Sequence, residues 1–285
     1  MTALPISATR RGRGPLLVCH PGGPGMHPDY FDAVFDLAGA HEVALLHPRG
    51  TGNSPRPSTP DDYTIDAYAH DTVAWIANSA TEPTFLLGHS HGGLVAARVA
   101  AIRPDLVRGL ILLGTPAYGG DRAETEAKAL QNARAGEPAC AAALARLEAE
   151  GDGYPPEPEL GRFLAEVIPL WVAPLTGHSL AWQARVAQQP VNRDALRYFG
   201  DVVFADLGQV TEDLARVTCP VLAIGGDLDG WAGPSHLALL RRCNPRVLAH
   251  TLPDSGHMCH VDAMDRITGL VTDFVQDNEK GNTDT

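Results

Sequence analysis

A serine bracketed by glycines is the feature of the chain best suited to chemistry. In the segment LLGHSHGGLVA, Ser90 stands between Gly88 and Gly92, after an apolar run typical of a strand and before a segment with helical periodicity. In that context G-x-S-x-G predicts a tight, strained turn that lifts the hydroxyl into a cleft, with glycines where side chains would collide with neighbouring strands. The turn would also aim the backbone N–H of His91 at an oxygen that becomes negative during attack. We therefore predict that Ser90 is a nucleophile and that the His91 amide stabilises an oxyanion.

Two late loops offer the base and the acid that a nucleophilic serine requires. The base takes the serine proton, the acid fixes the tautomer of the base, and the expected chain order is serine, acid, histidine. The segment LPDSGHMCHVD offers His257 as the base, with His260 as the alternative one helical turn later. The segment VLAIGGDLDGWAGP offers Asp229 as the acid, with Asp227 as the alternative. We favour Asp229 because its spacing from Gly226 leaves the chain clear of the strand before the carboxylate turns back.

A loop rich in glycine and proline follows the first apolar run. Its sequence, HPGGPG over residues 20–25, suits neither helix nor strand, because glycine frees φ whereas proline fixes φ and lacks an N–H. A tetrahedral intermediate needs two backbone donors, and a loop in this place would lie beside the nucleophile. Gly23 can present its N–H without a side chain in the way, so we predict that it is the second oxyanion donor. The alternative is an ordinary turn.

The elements that must position these residues are indicated by six apolar runs of strand length. The runs are nearly continuous rather than alternating, as in strands covered on both faces, and segments with helical periodicity lie between them. This alternation predicts an α/β fold with a mostly parallel, doubly wound sheet. The six runs are residues 15–20, 42–47, 84–89, 109–114, 220–226 and 246–252.

One interval breaks this alternation of strand and helix. About a hundred residues, from Thr115 to Val217, separate two predicted strands and contain alanine-rich and aromatic helical segments. An excursion of that length predicts an inserted helical cap rather than a loop. The last residues are polar, and we expect them to form a disordered tail. The predicted α/β core is residues 1–116 and 218–276, the cap is residues 117–217, and the tail is residues 277–285.

The composition indicates the class of partner and the compartment. A formal charge of −12 and a pI near 5.4 argue against a nucleic acid or an anionic membrane as partner, so we expect a small molecule or a short peptide. The five cysteines are scattered, and neither a signal peptide nor a membrane span of ~20 apolar residues is visible, so we expect a cytoplasmic protein. No H-E-x-x-H, Walker or G-x-G-x-x-G motif occurs, so we expect neither a metal nor a cofactor. The oligomeric state is left open.

Five motifs together resemble those of the α/β-hydrolase superfamily and, more narrowly, of the proline iminopeptidase-like hydrolases. The resemblance covers nearly the whole chain outside the cap, and it implies the α/β-hydrolase fold. It implies Ser90 as nucleophile, Asp229 as acid and His257 as base, with an oxyanion hole formed by the amides of Gly23 and His91. It also implies an aminopeptidase-type serine hydrolase that works through an acyl-enzyme. The motifs are HPGGPG at 20–25, HPRGTGNSPRP at 47–57, GHSHGG at 88–93, GGDLDGWAGP at 225–234 and SGHMCHVD at 255–262.

Several features depart from the iminopeptidase pattern. Pro21 is an extra residue in the glycine loop, His47 replaces the usual aspartate before RGTG, and His91 stands where iminopeptidases typically carry tryptophan. The segment before the first predicted strand is short, so we expect at least one early edge strand of the family to be missing. The departures leave open a carboxylesterase or thioesterase of a biosynthetic pathway, or a ligand-binding relative that does not hydrolyse.

The predicted cap should determine the substrate. A cap carboxylate binds the substrate amine in aminopeptidases, but an acidic chain exposes carboxylates everywhere, and we assign none. Trp171, Trp182 and Trp231 are candidate pocket walls, with ordinary packing as the alternative for all three. The candidate carboxylates are Glu124, Glu126, Glu137, Glu157, Glu159 and Glu166.

Overall fold

A seven-stranded sheet lies at the centre of the computed structural model, which describes residues 3–151 and 153–280. Its strands are β1 (Ser7–Gly12), β2 (Leu16–His20), β3 (Glu42–His47), β4 (Thr84–His89), β5 (Val107–Leu113), β6 (Val221–Gly226) and β7 (Val247–Leu252). The spatial order is β1-β3-β2-β4-β5-β6-β7, and every neighbouring pair is parallel except β1 with β3. The six apolar runs are β2 to β7, which confirms the predicted α/β class and the mostly parallel sheet.

The edge strand β1 was not among the predicted strands. Its sequence, SATRRG, contains no apolar run, because an edge strand has one neighbour and its side chains are half-buried or exposed. It pairs antiparallel with β3, from Ser7 opposite His47 to Gly12 opposite Glu42. Arg10 of β1 also forms an ion pair with Glu42 at 2.7 Å. Charged side chains of this kind protect a sheet edge from pairing with other chains.

Helices cover both faces of the sheet, as the continuous apolar strands require. In β4, Phe85 and Leu87 enter the core on one face and Leu86 enters the core on the other. The α-helices are α1 (Ile65–Ser79), α2 (His91–Ile102), α3 (Gly120–Ala133), α4 (Pro138–Glu150), α5 (Glu157–Val167), α6 (Gly177–Val186), α7 (Arg193–Tyr198), α8 (Gly208–Arg216), α9 (Pro234–Cys243), α10 (Cys259–Asp262) and α11 (Met264–Lys280). A 3₁₀ helix over Pro28–Gly39 and α11 lie on the first face, and α1, α2, α8 and α9 lie on the second.

The interval between β5 and β6 contains α3 to α8 and a π-helical turn, Phe199–Val203. Helices α5 and α6 pack against each other, and α6 also contacts the Pro28–Gly39 helix. The last helix, α8, instead packs against α2 and α9, with Val210 and Leu214 in the same apolar cluster as Leu94. Helix α8 therefore belongs to the layer that covers the sheet. The division of the chain at residues 117 and 217 stays a prediction.

The C-terminal helix α11 extends further than the sequence predicts. The predicted disordered tail begins at residue 277, but α11 continues through Lys280, and residues 281–285 lie outside the described residues. Phe274 and Val275 are buried near the end of the helix, and the Asn278 side chain donates to the Phe274 carbonyl at 2.7 Å. These contacts hold a polar final turn that has no apolar pattern of its own. Neither α11 nor any other helix in the described residues is long and apolar enough to cross a membrane.

Candidate active site

The turn between β4 and α2 holds Ser90 in a strained conformation. Its backbone has φ 53° and ψ −120°, in a region that residues other than glycine rarely adopt. The Ser90 N–H donates to the Leu113 carbonyl of β5 at 2.8 Å, and the Ser90 carbonyl accepts from the Gly93 N–H at 2.8 Å. The neighbouring strand and the first turn of α2 thus fix the strained backbone from both sides.

The glycines beside this turn are required by close backbone approach. A Cβ atom on Gly88 would lie 2.6 Å from the Gly93 Cα, and one on Gly92 would lie 2.7 Å from the Pro21 carbonyl oxygen. Cβ atoms essentially never come within 3.0 Å of such atoms. The start of α2 therefore packs directly on the glycine- and proline-rich loop of residues 20–25.

Two hydrogen bonds join Ser90, His257 and Asp229 in one line. The Oγ atom of Ser90 lies 2.9 Å from Nε2 of His257, and Nδ1 of His257 lies 2.9 Å from Oδ2 of Asp229. Asp227, the alternative acid, is exposed and accepts from the Ser255 N–H at 3.3 Å. His260, the alternative base, is fully buried with its Nε2 3.3 Å from the Tyr30 carbonyl oxygen. The structure therefore groups the favoured residues rather than the alternatives.

The Asp229 carboxylate is buried, and both of its oxygens accept hydrogen bonds. Its Oδ1 atom accepts from the N–H groups of Trp231 and Ala232 at 2.8 and 2.9 Å. Burial alone would raise the pKa of Asp229, but His257 and these two N–H groups outweigh it and hold the pKa below its usual value. The carboxylate stays ionised next to the imidazole, whose Nδ1 must then carry the proton.

The two predicted oxyanion donors adjoin residues in contact with the serine: Gly23 follows Gly22 in sequence, and His91 follows Ser90. A Cβ on Gly22 would lie 2.8 Å from the Ser90 Cβ, so the loop of residues 20–25 passes directly beside the serine. Gly23 has φ 47°, and His91 is the first residue of α2. Within the described part of the chain, neither the Gly23 N–H nor the His91 N–H donates to a protein acceptor. Both N–H groups are therefore without a protein partner in the described residues.

Comparison with known families identifies the family of this chain. The model of a family described as "alpha/beta hydrolase fold" matches residues 15–263. The chain belongs to the alpha/beta hydrolase family. The match includes Ser90, Asp229 and His257.

Three proteins illustrate what this alpha/beta hydrolase is similar to. It is 31% identical over 114 residues to the AB hydrolase superfamily protein YfhM of Bacillus subtilis, and the match spans 40% of each chain. It is 25% identical over 257 residues to Lipase 3 of Moraxella sp. (strain TA144), which covers 88% of this chain and 73% of the lipase. The solved structure of proline iminopeptidase from Mycobacterium smegmatis superposes with a TM-score of 0.72 at 23% identity, over 96% of this chain and 95% of that one. The last comparison shows the shared fold.

The three candidate tryptophans of this alpha/beta hydrolase occupy different places. Trp231 is half-buried in the loop that carries Asp229, and its ring packs on Phe204 with 5.5 Å between centroids. Trp171 is half-buried, and its carbonyl accepts from the Met258 N–H beside His257 at 2.9 Å. Trp182 is only 3% exposed and belongs to the core. Trp231 and Trp171 thus contact the loops of the acid and of the base, whereas Trp182 does not.

The π-helical turn of residues 199–203, which the sequence did not indicate, contacts the residue after Ser90. Phe199 packs edge-on against the His91 ring at 5.4 Å, and its ring lies 5.9 Å from that of Phe204. Together with Trp231, these rings extend from the oxyanion donor to the acid loop. π-Helical turns often occur at functional sites, but no local sequence pattern distinguishes this one from an ordinary helix end.

Most of the candidate cap carboxylates have basic partners. Five of the six form an ion pair with arginine or lysine, and Glu159 is exposed with no such pair among the described residues. The pairs are Glu124 with Lys128, Glu126 with Arg122, Glu137 with Arg134, Glu157 with Arg56 and Glu166 with Arg146.

Residues 3–151 and 153–280 contain no group of three or more His, Cys, Asp or Glu side chains placed to hold a metal ion.

Proposed function

We propose that this alpha/beta hydrolase is a serine hydrolase that cleaves a small acyl substrate through a covalent acyl-enzyme. The observation that carries the proposal is the hydrogen-bonded line from Ser90 through His257 to Asp229, with 2.9 Å at both contacts. Because Nδ1 of His257 donates to Asp229, Nε2 has a lone pair for the serine proton. Ser90 is partly exposed whereas Asp229 is 5% exposed, so a substrate can reach the nucleophile while the acid stays desolvated.

The reaction would proceed in two stages. In the first, Ser90 Oγ bonds to the substrate carbonyl carbon while Nε2 of His257 takes the hydroxyl proton, and the bond to the leaving group breaks as His257 returns that proton to it. In the second, His257 takes a proton from water as the water oxygen attacks the acyl carbon. The bond to Ser90 Oγ then breaks, the serine regains its proton, and the carboxylic acid product leaves.

The free amides of Gly23 and His91 would stabilise the negative oxygen that forms in both stages. The His91 N–H is at the first turn of α2, where the helix dipole adds positive potential. Backbone donors held in place before the reaction cost no reorganisation when the charge develops, and one such donor is typically worth about 10²- to 10³-fold in turnover. This is the role we propose for the HPGGPG loop.

The charges of the cap favour an ester or a thioester over a substrate with a free amine. A site for a substrate ammonium group needs a carboxylate that is not already paired, whereas five of the six candidates are paired with arginine or lysine. The Moraxella relative, which is named a lipase, covers most of this chain. We therefore place carboxylesterase or thioesterase activity ahead of the aminopeptidase activity that the HPGGPG loop first implies.

The rings of Phe199, Phe204 and Trp231 would form an apolar wall of the substrate site. All three are partly exposed, and they are linked by aromatic contacts of 5.9 and 5.5 Å. Partly exposed aromatic side chains that contact His91 and lie in the acid loop favour an apolar acyl group. Trp171 and Trp182 have no comparable place in the proposal.

A fluorophosphonate probe tests the nucleophile directly. We expect stoichiometric labelling of the native protein, and no labelling of Ser90→Ala or of protein unfolded before exposure. A native protein that stays unlabelled, or a Ser90→Ala variant labelled equally well, would favour the ligand-binding alternative and overturn the hydrolase proposal.

A substrate panel tests the leaving group. Short p-nitrophenyl esters and acyl thioesters should turn over, whereas prolyl and other aminoacyl arylamides should be cleaved at least tenfold more slowly in kcat/KM. Faster cleavage of the prolyl arylamide would restore the aminopeptidase assignment.

A further inference from the structure

A series of buried hydrogen bonds connects the three loops of the proposed site. The Gly22 N–H donates to the hydroxyl of Tyr30 at 2.6 Å, and that hydroxyl lies 2.8 Å from Nδ1 of His89. On the other side of its ring, His89 places Nε2 3.1 Å from the carbonyl oxygen of His257. Gly22 directly precedes Gly23, and His89 directly precedes Ser90. This hydrogen-bond chain therefore connects the loop of residues 20–25, the serine turn and the loop that carries His257.

The position of every proton in this hydrogen-bond chain follows from its two end groups, the Gly22 N–H and the His257 carbonyl. A peptide N–H can only donate, so the Tyr30 oxygen accepts from Gly22, and a carbonyl can only accept, so Nε2 of His89 carries a hydrogen. Burial lowers the pKa of His89 to about 3, so the ring is neutral and Nδ1 has no hydrogen. Burial likewise raises the pKa of Tyr30, so its hydroxyl keeps the proton and must donate it to Nδ1 of His89.

Water cannot easily replace these bonds, because Tyr30 and His89 are both 0% exposed. The Tyr30 backbone is held by the Trp182 indole N–H, which donates to its carbonyl at 2.7 Å, and its ring stacks on Phe31. The hydroxyl thus has a fixed position. Breaking the chain would leave buried polar groups without partners, which costs about 1–3 kcal/mol for each group.

The peptide group between Pro21 and Gly22 is held at both ends. Its N–H is the donor to Tyr30, and its carbonyl oxygen lies 2.8 Å from Nδ1 of His20. Since the carbonyl can only accept, that nitrogen of His20 carries a hydrogen. The orientation of the following peptide, which carries the Gly23 N–H, depends on this one. The residue Pro21, which departs from the iminopeptidase loop, therefore belongs to the best-anchored peptide of the loop.

We propose that Tyr30 and His89 are positioning residues, which hold the Gly23 amide and the His257 imidazole in fixed positions relative to Ser90. This inference rests on the proposed serine hydrolase activity. A shift of about 1 Å in a reacting group can lower the rate about 10²-fold. Loss of the chain should therefore lower kcat much more than it raises KM, because the substrate wall of Phe199, Phe204 and Trp231 is not touched.

Removal of one hydroxyl tests the proposal. We expect Tyr30→Phe to lower kcat for a p-nitrophenyl ester roughly 10- to 100-fold, with KM within about twofold of wild type. Tyr68→Phe is the matched control, since the Tyr68 hydroxyl is equally buried but has no partner among the described residues. It should keep wild-type kcat. Wild-type kcat in a folded Tyr30→Phe would overturn the proposal.

Two substitutions at His89 separate positioning from packing. The glutamine of His89→Gln can accept from Tyr30 and donate to the His257 carbonyl, whereas the side chain of His89→Leu can do neither. We expect His89→Gln to keep more of kcat than His89→Leu does. The double variant Tyr30→Phe/His89→Leu should be no slower than His89→Leu alone, because the chain is already broken. Independent, multiplicative losses would contradict a single chain.

A readout that does not depend on turnover completes the test. Long-range ¹⁵N–¹H NMR of histidine-labelled wild-type protein should show His89 as the neutral Nε2–H tautomer near pH 7. An Nδ1–H tautomer would overturn the proposal. This measurement needs no variant, so it stands even if the variants misfold. Wild-type protein without esterase, thioesterase or amidase turnover would overturn the proposed function and this inference with it. Active wild-type protein with unaffected kcat in Tyr30→Phe would overturn this inference alone.

Discussion

Asp229 binds His257 with one carboxylate oxygen and its own loop with the other. Oδ2 lies 2.9 Å from Nδ1 of the imidazole, and Oδ1 accepts from the backbone N–H groups of Trp231 and Ala232. The carboxylate therefore cannot rotate without breaking bonds on both sides. Its orientation fixes the ring of His257 with Nε2 towards Ser90.

This arrangement predicts a large loss of activity in Asp229→Asn. The amide has no negative charge for the imidazolium, and its NH₂ group cannot accept from both N–H groups while its oxygen accepts from His257. We expect kcat to fall about 10³- to 10⁴-fold in an ester assay, with KM little changed. Asp227→Asn is the control in the same loop, because it keeps an oxygen for the Ser255 N–H. Equal losses in the two variants would contradict the assignment of Asp229 as the acid.

Gly92 offers a test of the serine turn through stability. A Cβ at this position would lie 2.7 Å from the Pro21 carbonyl oxygen, and backbone on either side cannot move away cheaply. Gly92→Ala should lower the free energy of unfolding by about 2 kcal/mol or more, as measured by urea denaturation. Gly269→Ala, at an exposed position of α11 with open space around it, should instead raise it by about 0.5–1 kcal/mol. A stable Gly92→Ala variant would show that the turn is less tightly packed than the distances indicate.

Residues of the site that belong to a local pattern could be predicted from the sequence. Ser90 has its glycines, and Asp229 and His257 follow apolar runs that are strands β6 and β7. Tyr30 and His89 could not be found in this way, because their contact joins residues 59 positions apart and neither lies in a motif for it. A tertiary contact of this kind depends on how the Pro28–Gly39 helix packs on the sheet.

The same contrast applies to the fold. The central strands were visible because burial on both faces demands continuous apolar residues. The edge strand β1 was not visible, because its side chains are half-buried or exposed and need not be apolar. Its place depends on hydrogen bonding to β3, which no local sequence pattern shows. The end of α11 was placed too early because its final turn is held by an Asn278 hydrogen bond rather than by an apolar pattern.

Buried neutral histidines predict that the folded protein loses stability in mild acid. Burial lowers the pKa of His20 and His236 to about 4 and that of His89 to about 3, and it lowers the pKa of His91 and His260 well below the usual 6.5. Between these values and 6.5 the unfolded chain binds more protons than the folded one, so stability falls as the pH decreases. From pH 7.5 to 5.5 each histidine should cost about 1.4 kcal/mol, and the five together about 7 kcal/mol.

Urea denaturation at the two pH values measures this effect. His236→Asn, whose Oδ1 can still accept from the Ala117 N–H, should reduce the difference between pH 7.5 and 5.5 by about 1.4 kcal/mol. His178→Gln, at an exposed position, should leave the difference unchanged. A protein equally stable at both pH values would show that these rings are protonated in the folded state.

Glu126 joins α3 to the start of α9, directly after the loop that carries Asp229. Its Oε2 atom accepts from the Tyr118 hydroxyl at 2.6 Å and from the Ser235 hydroxyl at 2.7 Å. The Tyr118 ring also stacks on His236 with 3.7 Å between centroids. Burial would raise the pKa of Glu126, but these hydroxyl groups and Arg122 lower it below its usual value, so the carboxylate is ionised. The joint therefore ties a predicted cap helix to the core.

Glu126→Gln should weaken this joint without touching the line of Ser90, His257 and Asp229. The amide is a weaker acceptor than the carboxylate and cannot pair with Arg122, so we expect the free energy of unfolding to fall by about 1–2 kcal/mol. Glu124→Gln is the matched control on the same helix, because its exposed pair with Lys128 should be worth about 0.5 kcal/mol or less. If the two variants lose equal stability, the hydroxyl contacts of Glu126 add nothing to an ordinary surface ion pair. A larger loss in Glu126→Gln would identify this joint as a main attachment of α3 to the core.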